Sequence, residues 1–108
     1  MRRGTTPEYL ITIQGKNLTG MTVEVDIAQG CAMITKAGDE LSLSGTSSGT
    51  TIAFRLTQEE TLAMKPGKAR VQVRYINSQG IAEATSIGQI NVDPILRDGR
   101  IEYEGGVS

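Results

Sequence analysis

The chain has 108 residues, 11 Lys and Arg against 12 Asp and Glu, a net charge of -1 and no histidine. That length suits one domain with one core, and the charge offers no concentrated basic face for nucleic acid. The absence of histidine excludes the common zinc sites and the Ser-His and Cys-His nucleophile pairs. Cys31 is the one cysteine, so no internal disulfide forms, and it reads as a small buried hydrophobe at the start of a strand. No apolar window approaches a membrane-spanning length. Met1-Arg2-Arg3 is basic, but no apolar run of signal-peptide length follows it, so synthesis in the cytosol is the expectation.

Residues 1–7 show no periodicity and read as a flexible N-terminal arm. Glu8 to Gln14 is strand-like, with Tyr9, Ile11 and Ile13 on one face. Gly15-Lys16-Asn17 supplies a turn. Met21 to Ile27 alternates: Met21, Val23, Val25 and Ile27 inward, Thr22, Glu24 and Asp26 outward, as in a strand with one wet side. Cys31 to Lys36 is a third strand and Leu41 to Leu43 a short fourth. Ser44 to Thr50 (SGTSSGT) is small and polar and reads as a mobile loop tip. Thr51 to Leu56 alternates again, with Ile52, Phe54 and Leu56 inward.

The stretch Leu56 to Gly67 (LTQEETLAMKPG) is the one helical segment. Thr57 followed by Glu60 fits a capping box, Glu59 and Glu60 suit the positive end of a helix, and Pro66-Gly67 stops it. About two turns cannot persist alone, so the helix must pack on the sheets, with Leu62 as the expected anchor and Leu56 as a staple. Ala69 to Tyr75 places Ala69, Val71, Val73 and Tyr75 on one face and Lys68, Arg70, Gln72 and Arg74 on the other. Asn77 to Gly80 is a hairpin loop, and Ile81 to Val92 returns as a long strand with a bulge or bend near Gly88. Residues 94–108 form an extension in which Asp98-Gly99 favours a hairpin turn.

About seven strands with one connecting helix fit an all-β, immunoglobulin-like β-sandwich over residues 8–93, with a small barrel as the alternative. Adjacent carboxylates such as Asp39-Glu40 point to opposite faces of a strand, and Glu59-Glu60 is accounted for by helix capping. Gly45 to Gly49 lacks the Lys-Ser/Thr ending of a phosphate loop. No catalytic, metal-binding or cofactor-binding residue is therefore named, and no cofactor is expected. Lys65, Lys68, Arg70 and Arg74 form a basic stripe, readable as a solvated strand face or as a patch for an acidic partner subunit. Ile95, Leu96, Ile101 and Tyr103 in the C-terminal extension are the remaining candidate partner contacts.

Several segments carry a resemblance: Met1 to Pro7 (MRRGTTP), Leu18-Thr19-Gly20, Ile34-Thr35-Lys36 with Asp39 and Leu41, and Leu56 to Leu62 (LTQEETL) leading to Gly67-Lys68-Ala69 and Val71 to Arg74. Ile95-Leu96, Asp98-Gly99 and Ile101 complete it. The chain resembles small prophage and phage structural proteins of Gram-positive bacteria found among tail and baseplate genes, and is similar to the N-terminal β-sandwich module of baseplate proteins. Met64 departs from that pattern, which calls for an aromatic plug. The resemblance implies a virion component that assembles with copies of itself or other phage subunits, without enzyme activity; from charge and hydropathy, no nucleic acid or membrane partner is expected. The alternative is a carbohydrate- or host-surface-binding module. Such a module needs an aromatic platform, for which Tyr103 is the candidate.

Overall fold

The computed structural model describes residues 1–102. Eight strands follow one another: β1 (Glu8–Gln14), β2 (Thr22–Gln29), β3 (Ala32–Ala37), β4 (Ser42–Thr46), β5 (Gly49–Arg55), β6 (Gly67–Ile76), β7 (Ala82–Ala84) and β8 (Gly88–Val92). A helix, α1 (Gln58–Leu62), links β5 to β6. The predicted seventh strand is two pieces. Arg74 faces Ala84 and Val71 faces Gly88, so Thr85, Ser86 and Ile87 oppose only Gln72 and Val73. That is a one-residue bulge, and it lies immediately before Gly88. The Thr85 hydroxyl accepts from the Val73 N–H at 3.1 Å and so replaces the interrupted ladder.

The strands form two antiparallel sheets, β1-β5-β4 and β3-β2-β6, the latter continued by β7 and β8 along the far side of β6. This is the strand order of an immunoglobulin sandwich: β1, β5 and β4 stand as B, E and D, and β3, β2, β6 and β7–β8 as C′, C, F and G. No ladder joins the two sheets among the described residues, so the barrel alternative falls. The place of strand A beside β1 has no occupant among those residues.

Period-two alternation builds the core between the sheets. Val23, Val25 and Ile27 from β2, Ile34 from β3, Ile52 and Phe54 from β5, and Ala69 and Val73 from β6 are buried together. Leu18, from the β1–β2 connection, is fully buried as well. Its N–H donates to the Thr50 hydroxyl, which in turn donates to the Lys16 carbonyl, both at 2.8 Å. The expected loop tip at Ser44 to Thr50 is therefore mostly strand, because Thr46 pairs directly with Gly49 across a two-residue turn.

Cys31 is not a core hydrophobe. Gln29 faces Ala32, which leaves Gly30-Cys31 as the two-residue turn of the β2–β3 hairpin, with Cys31 exposed. Gly30 takes φ 57° at the first turn position, a conformation open to glycine.

The ends differ most from expectation. The N-terminal arm is docked: Arg2 bridges Asp93 in parallel, Arg3 N–H donates to the Asp93 carbonyl at 3.1 Å, and the Leu56 N–H reaches the Pro7 carbonyl at 3.0 Å. The C-terminal extension forms no hairpin at Asp98-Gly99 among the described residues; it crosses back over the arm and α1. The buried anchors are Thr61 within α1 and Met64 just after it, both 0% exposed, whereas Leu62 is only half-buried. Met64 fills the plug position through its flexible thioether chain. Met64→Ala should lower the free energy of unfolding by about 3 kcal/mol and Leu62→Ala by well under half of that, measured by urea denaturation.

Candidate interaction surface

The outer face of the five-stranded sheet carries the basic stripe. Register places Glu24 opposite Arg74, Asp26 opposite Gln72, and Ala28 opposite Arg70. Arg74 is bonded to the Glu24 carboxylate and lies 3.3 Å from Asp26 Oδ2. Its charge is therefore spent within the sheet, in a cross-strand arrangement. Lys65, Lys68 and Arg70 form no ion pair among the described residues; Lys68 Nζ lies 3.5 Å from Asn91 Oδ1. The Lys65 backbone is tied to β2, with Gln29 accepting from its N–H at 2.6 Å and donating to its carbonyl at 2.7 Å.

The Arg74–Glu24–Asp26 cluster divides this face into two open troughs. One, of about 370 Å³, is lined by Ala28, Met33, Arg70 and Ile87 among others. The other, of about 390 Å³, includes Thr22, Tyr75, Ile76, Ala82 and Ala84. Met33 is 63% and Ile87 57% exposed, and neither figured among the expected contacts. Met33 was legible as the outward residue between Ala32 and Ile34 on β3, but Ile87 is turned out by the bulge, which sequence periodicity does not show.

The C-terminal candidates lie elsewhere, along the strap over α1. Gln58 holds the strap like a strand neighbour: its side chain donates to the Ile101 carbonyl at 2.9 Å and accepts from the Ile101 N–H at 2.7 Å. Arg100 pairs with Glu59. Ile95 turns inward, and a Cβ added at Gly4 would meet Ile95 Cδ1 at 3.1 Å and Leu62 Cδ2 at 3.4 Å. Leu96 and Ile101 remain exposed. Tyr103 lies outside the described residues. The seven expected contacts among the described residues thus fall on two surfaces, the stripe along and just before β6 and the strap. Of the described aromatics, Tyr9 and Phe54 stack with ring centroids 5.8 Å apart in the core layer. Lys16 Nζ sits 5.2 Å above the Tyr75 ring.

Two charged groups that the sequence reading did not single out fix α1 against this framework. Lys36 points inward from β3, and its side chain is 7% exposed. Its ammonium lies 2.8 Å from Glu60 Oε1 and 3.6 Å from Glu40 Oε2. Glu60 also closes the capping box, accepting from the Thr57 N–H at 2.8 Å while Thr57 Oγ1 accepts from the Glu60 N–H at 3.1 Å. Burial pushes the Glu60 carboxyl up, but the hydrogen bonds from Lys36 and Thr57 and the Lys36 charge outweigh it, holding the group below its ordinary value of 4.5. The opposite end of α1 has no basic residue of its own. Arg3 supplies one, donating to the Leu62 carbonyl at 2.9 Å and the Met64 carbonyl at 2.6 Å, and pairing with Asp98 at 2.5 Å. A cation there satisfies the orphan carbonyls of a helix end.

No protein-family model matches the chain, and no curated protein matches it in sequence.

Because folded Glu60 binds its proton less tightly than the unfolded chain does, its contribution is fully present above the ordinary carboxylate range. It is lost as pH falls through the lowered folded value. Lys36→Met should therefore cost more at neutral pH than in acid, flattening the dependence of Tm on pH across the carboxylate range. Glu60→Ala should cost roughly 3 kcal/mol at neutral pH, since it leaves the buried Lys36 ammonium with only the longer Glu40 contact. Thermal melts in a pH series check both.

Proposed function

We propose that this protein is a non-enzymatic structural component of a phage or prophage virion, in the tail, baseplate or connector, which works by subunit–subunit assembly after synthesis in the host cytoplasm. The resemblance of LTQEETL, GKA and VQVR to baseplate-associated sandwich modules supports the virion setting. The single observation that carries the assembly reading is the outer face of the five-stranded sheet. There, exposed Met33 and Ile87 line one trough with Arg70, beside a cross-strand charge cluster.

Apolar residues around an arginine are the composition of an interface centre rather than of an ordinary wet sheet face. The charged ridge of Arg74, Glu24 and Asp26 sets orientation, because a wrongly placed partner would meet unmatched charge. The apolar troughs on either side supply the area. Lys65, Lys68 and Arg70, which form no ion pair among the described residues, favour an acidic partner subunit along the same stripe. Phage subunits, including further copies of this chain, are the partners proposed; nucleic acid and membrane are not.

The test is to induce the prophage that encodes the chain and analyse purified particles by quantitative mass spectrometry. The protein should appear in fixed proportion to the other tail or baseplate subunits, and its absence from intact particles would overturn the assignment. Replacing Met33 and Ile87 together by Asp should reduce its incorporation at least about tenfold, the effect of losing one good interface contact. The Tm of the isolated protein should stay within a few degrees of the parent.

A further inference from the structure

A sheet edge exposes a row of unpaired N–H and C=O groups, and proteins blunt such edges by recognisable means. Most edges here carry one. The β8 edge is covered by the N-terminal arm through the Arg2–Asp93 bridge. β7 is three residues long and ends at the bulge. β3 points the buried Lys36 inward, so an added strand would lie beside a desolvated charge. β4 is five residues long and contains Gly45, which weakens a strand.

β1 carries none of these devices. Its seven residues, EYLITIQ, include no Lys, Pro or Gly, and its register with β5 runs without a bulge from Glu8–Arg55 to Gln14–Gly49. The direction of its free groups follows from the ladder. The Leu56 N–H donates to the Pro7 carbonyl and the Gly15 N–H to the Ser48 carbonyl, so odd-numbered positions bond toward β5. In an antiparallel pair, the alternate residues turn both backbone groups the other way. Glu8, Leu10, Thr12 and Gln14 therefore present their N–H and C=O outward, and none of these groups has another partner among the described residues. Leu10 is 65% exposed beside them.

We propose that this edge is a homodimer interface, in which β1 pairs antiparallel with β1 of a second copy about a two-fold axis at Ile11. That register uses every free group: Glu8 faces Gln14 of the partner copy and Leu10 faces Thr12, twice over, giving eight backbone hydrogen bonds at two per facing pair. The side chains agree with it. Glu8 meets a neutral amide, so no like charges oppose one another. On the inner face, Ile11 meets Ile11 and Tyr9 meets Ile13 at the closer non-hydrogen-bonded positions, and all three are only partly buried in the single chain. A foreign strand would satisfy the backbone equally well; the self-complementary order of EYLITIQ is what selects a second copy. The paired strands are only about 24 Å long, and one strand edge of that length buries less than the roughly 1,600 Å² of a standard interface, so the dimer forms in a concentration-dependent way. The edge belongs to the three-stranded sheet, apart from Met33 and Ile87, and stands independently of the virion assignment.

Thr12→Pro is the discriminating variant. It deletes an outward N–H while leaving the bonds to β5 in place. In sedimentation velocity from micromolar to millimolar concentration, the parent should shift toward twice the monomer mass and Thr12→Pro should remain at the monomer mass. Amide exchange on the parent gives a readout that needs no variant. Leu10 and Thr12 should gain at least tenfold protection from the lowest to the highest concentration, while Ile11 and Ile13 stay protected throughout. A parent that is monomeric at every concentration would overturn the proposal. So would a dimer untouched by Thr12→Pro, or concentration-dependent protection confined to Ala32–Ala37.

Discussion

The fold depends on holding a five-residue helix where it could not hold itself. A helix this short has no stability of its own in water, yet α1 carries the chain from one sheet to the other. Its N-terminal end is fastened by Glu60, which serves the capping box and the buried Lys36 of β3 together. Its C-terminal end is fastened by Arg3 of the N-terminal arm, and Met64 and Thr61 hold it from below. The charges that fix α1 thus come from a strand of the five-stranded sheet and from the chain's first residues, neither adjacent to it in sequence. One consequence is that the arm cannot leave without unfastening the crossover. Arg3 also holds Asp98, so the C-terminal strap is secured through the same guanidinium.

What could be read from the sequence was whatever depends on near neighbours. Alternation on β2, β5 and β6 placed their inward residues correctly, and Thr57 with Glu60 identified the capping box that forms. Errors arose where distant groups decide the outcome. Asp98-Gly99 has good hairpin chemistry, but Arg3 draws the Asp98 carboxylate into another contact, and the segment runs on as a strap. Leu62 looked like the anchor by size, yet the bend after α1 buries Met64 in the core, and Leu62 lies beneath the arm. Cys31 follows Gly30, and a two-residue turn there takes the cysteine out of the strand. Lys36 occupied an inward slot on β3 in plain sight, but its burial makes sense only once Glu60 is beside it.

The outer face proposed for assembly was legible in a similar, partial way. The outward alternation of Lys68, Arg70 and Arg74 identified the correct face of β6. Charge counting along one strand overstated how basic that face is, because Glu24 and Asp26 sit on the neighbouring strand and claim Arg74. The apolar part of the surface depends on the bulge before Gly88, which turns Ile87 outward onto the trough that Met33 also lines. Gly88 marked the place of the bulge, but which side chain it turns outward is set by register between two strands, and register is not written in either strand alone.

The position of the N-terminal arm links this surface to the opposite sheet. In the ordinary sandwich the first strand lies beside the second and covers its edge. Here the arm lies along β8 instead, where the Arg2–Asp93 bridge protects that edge and carries Arg3 to the end of α1. One segment cannot occupy both places. Securing the crossover from the β8 side therefore leaves β1 uncovered among the described residues, with outward backbone groups and an exposed Leu10. The same choice that makes a five-residue helical connection sturdy gives the three-stranded sheet an edge open to a further strand. A two-fold pairing there would close on itself rather than extend, and would leave the outer faces of both five-stranded sheets free for a different neighbour.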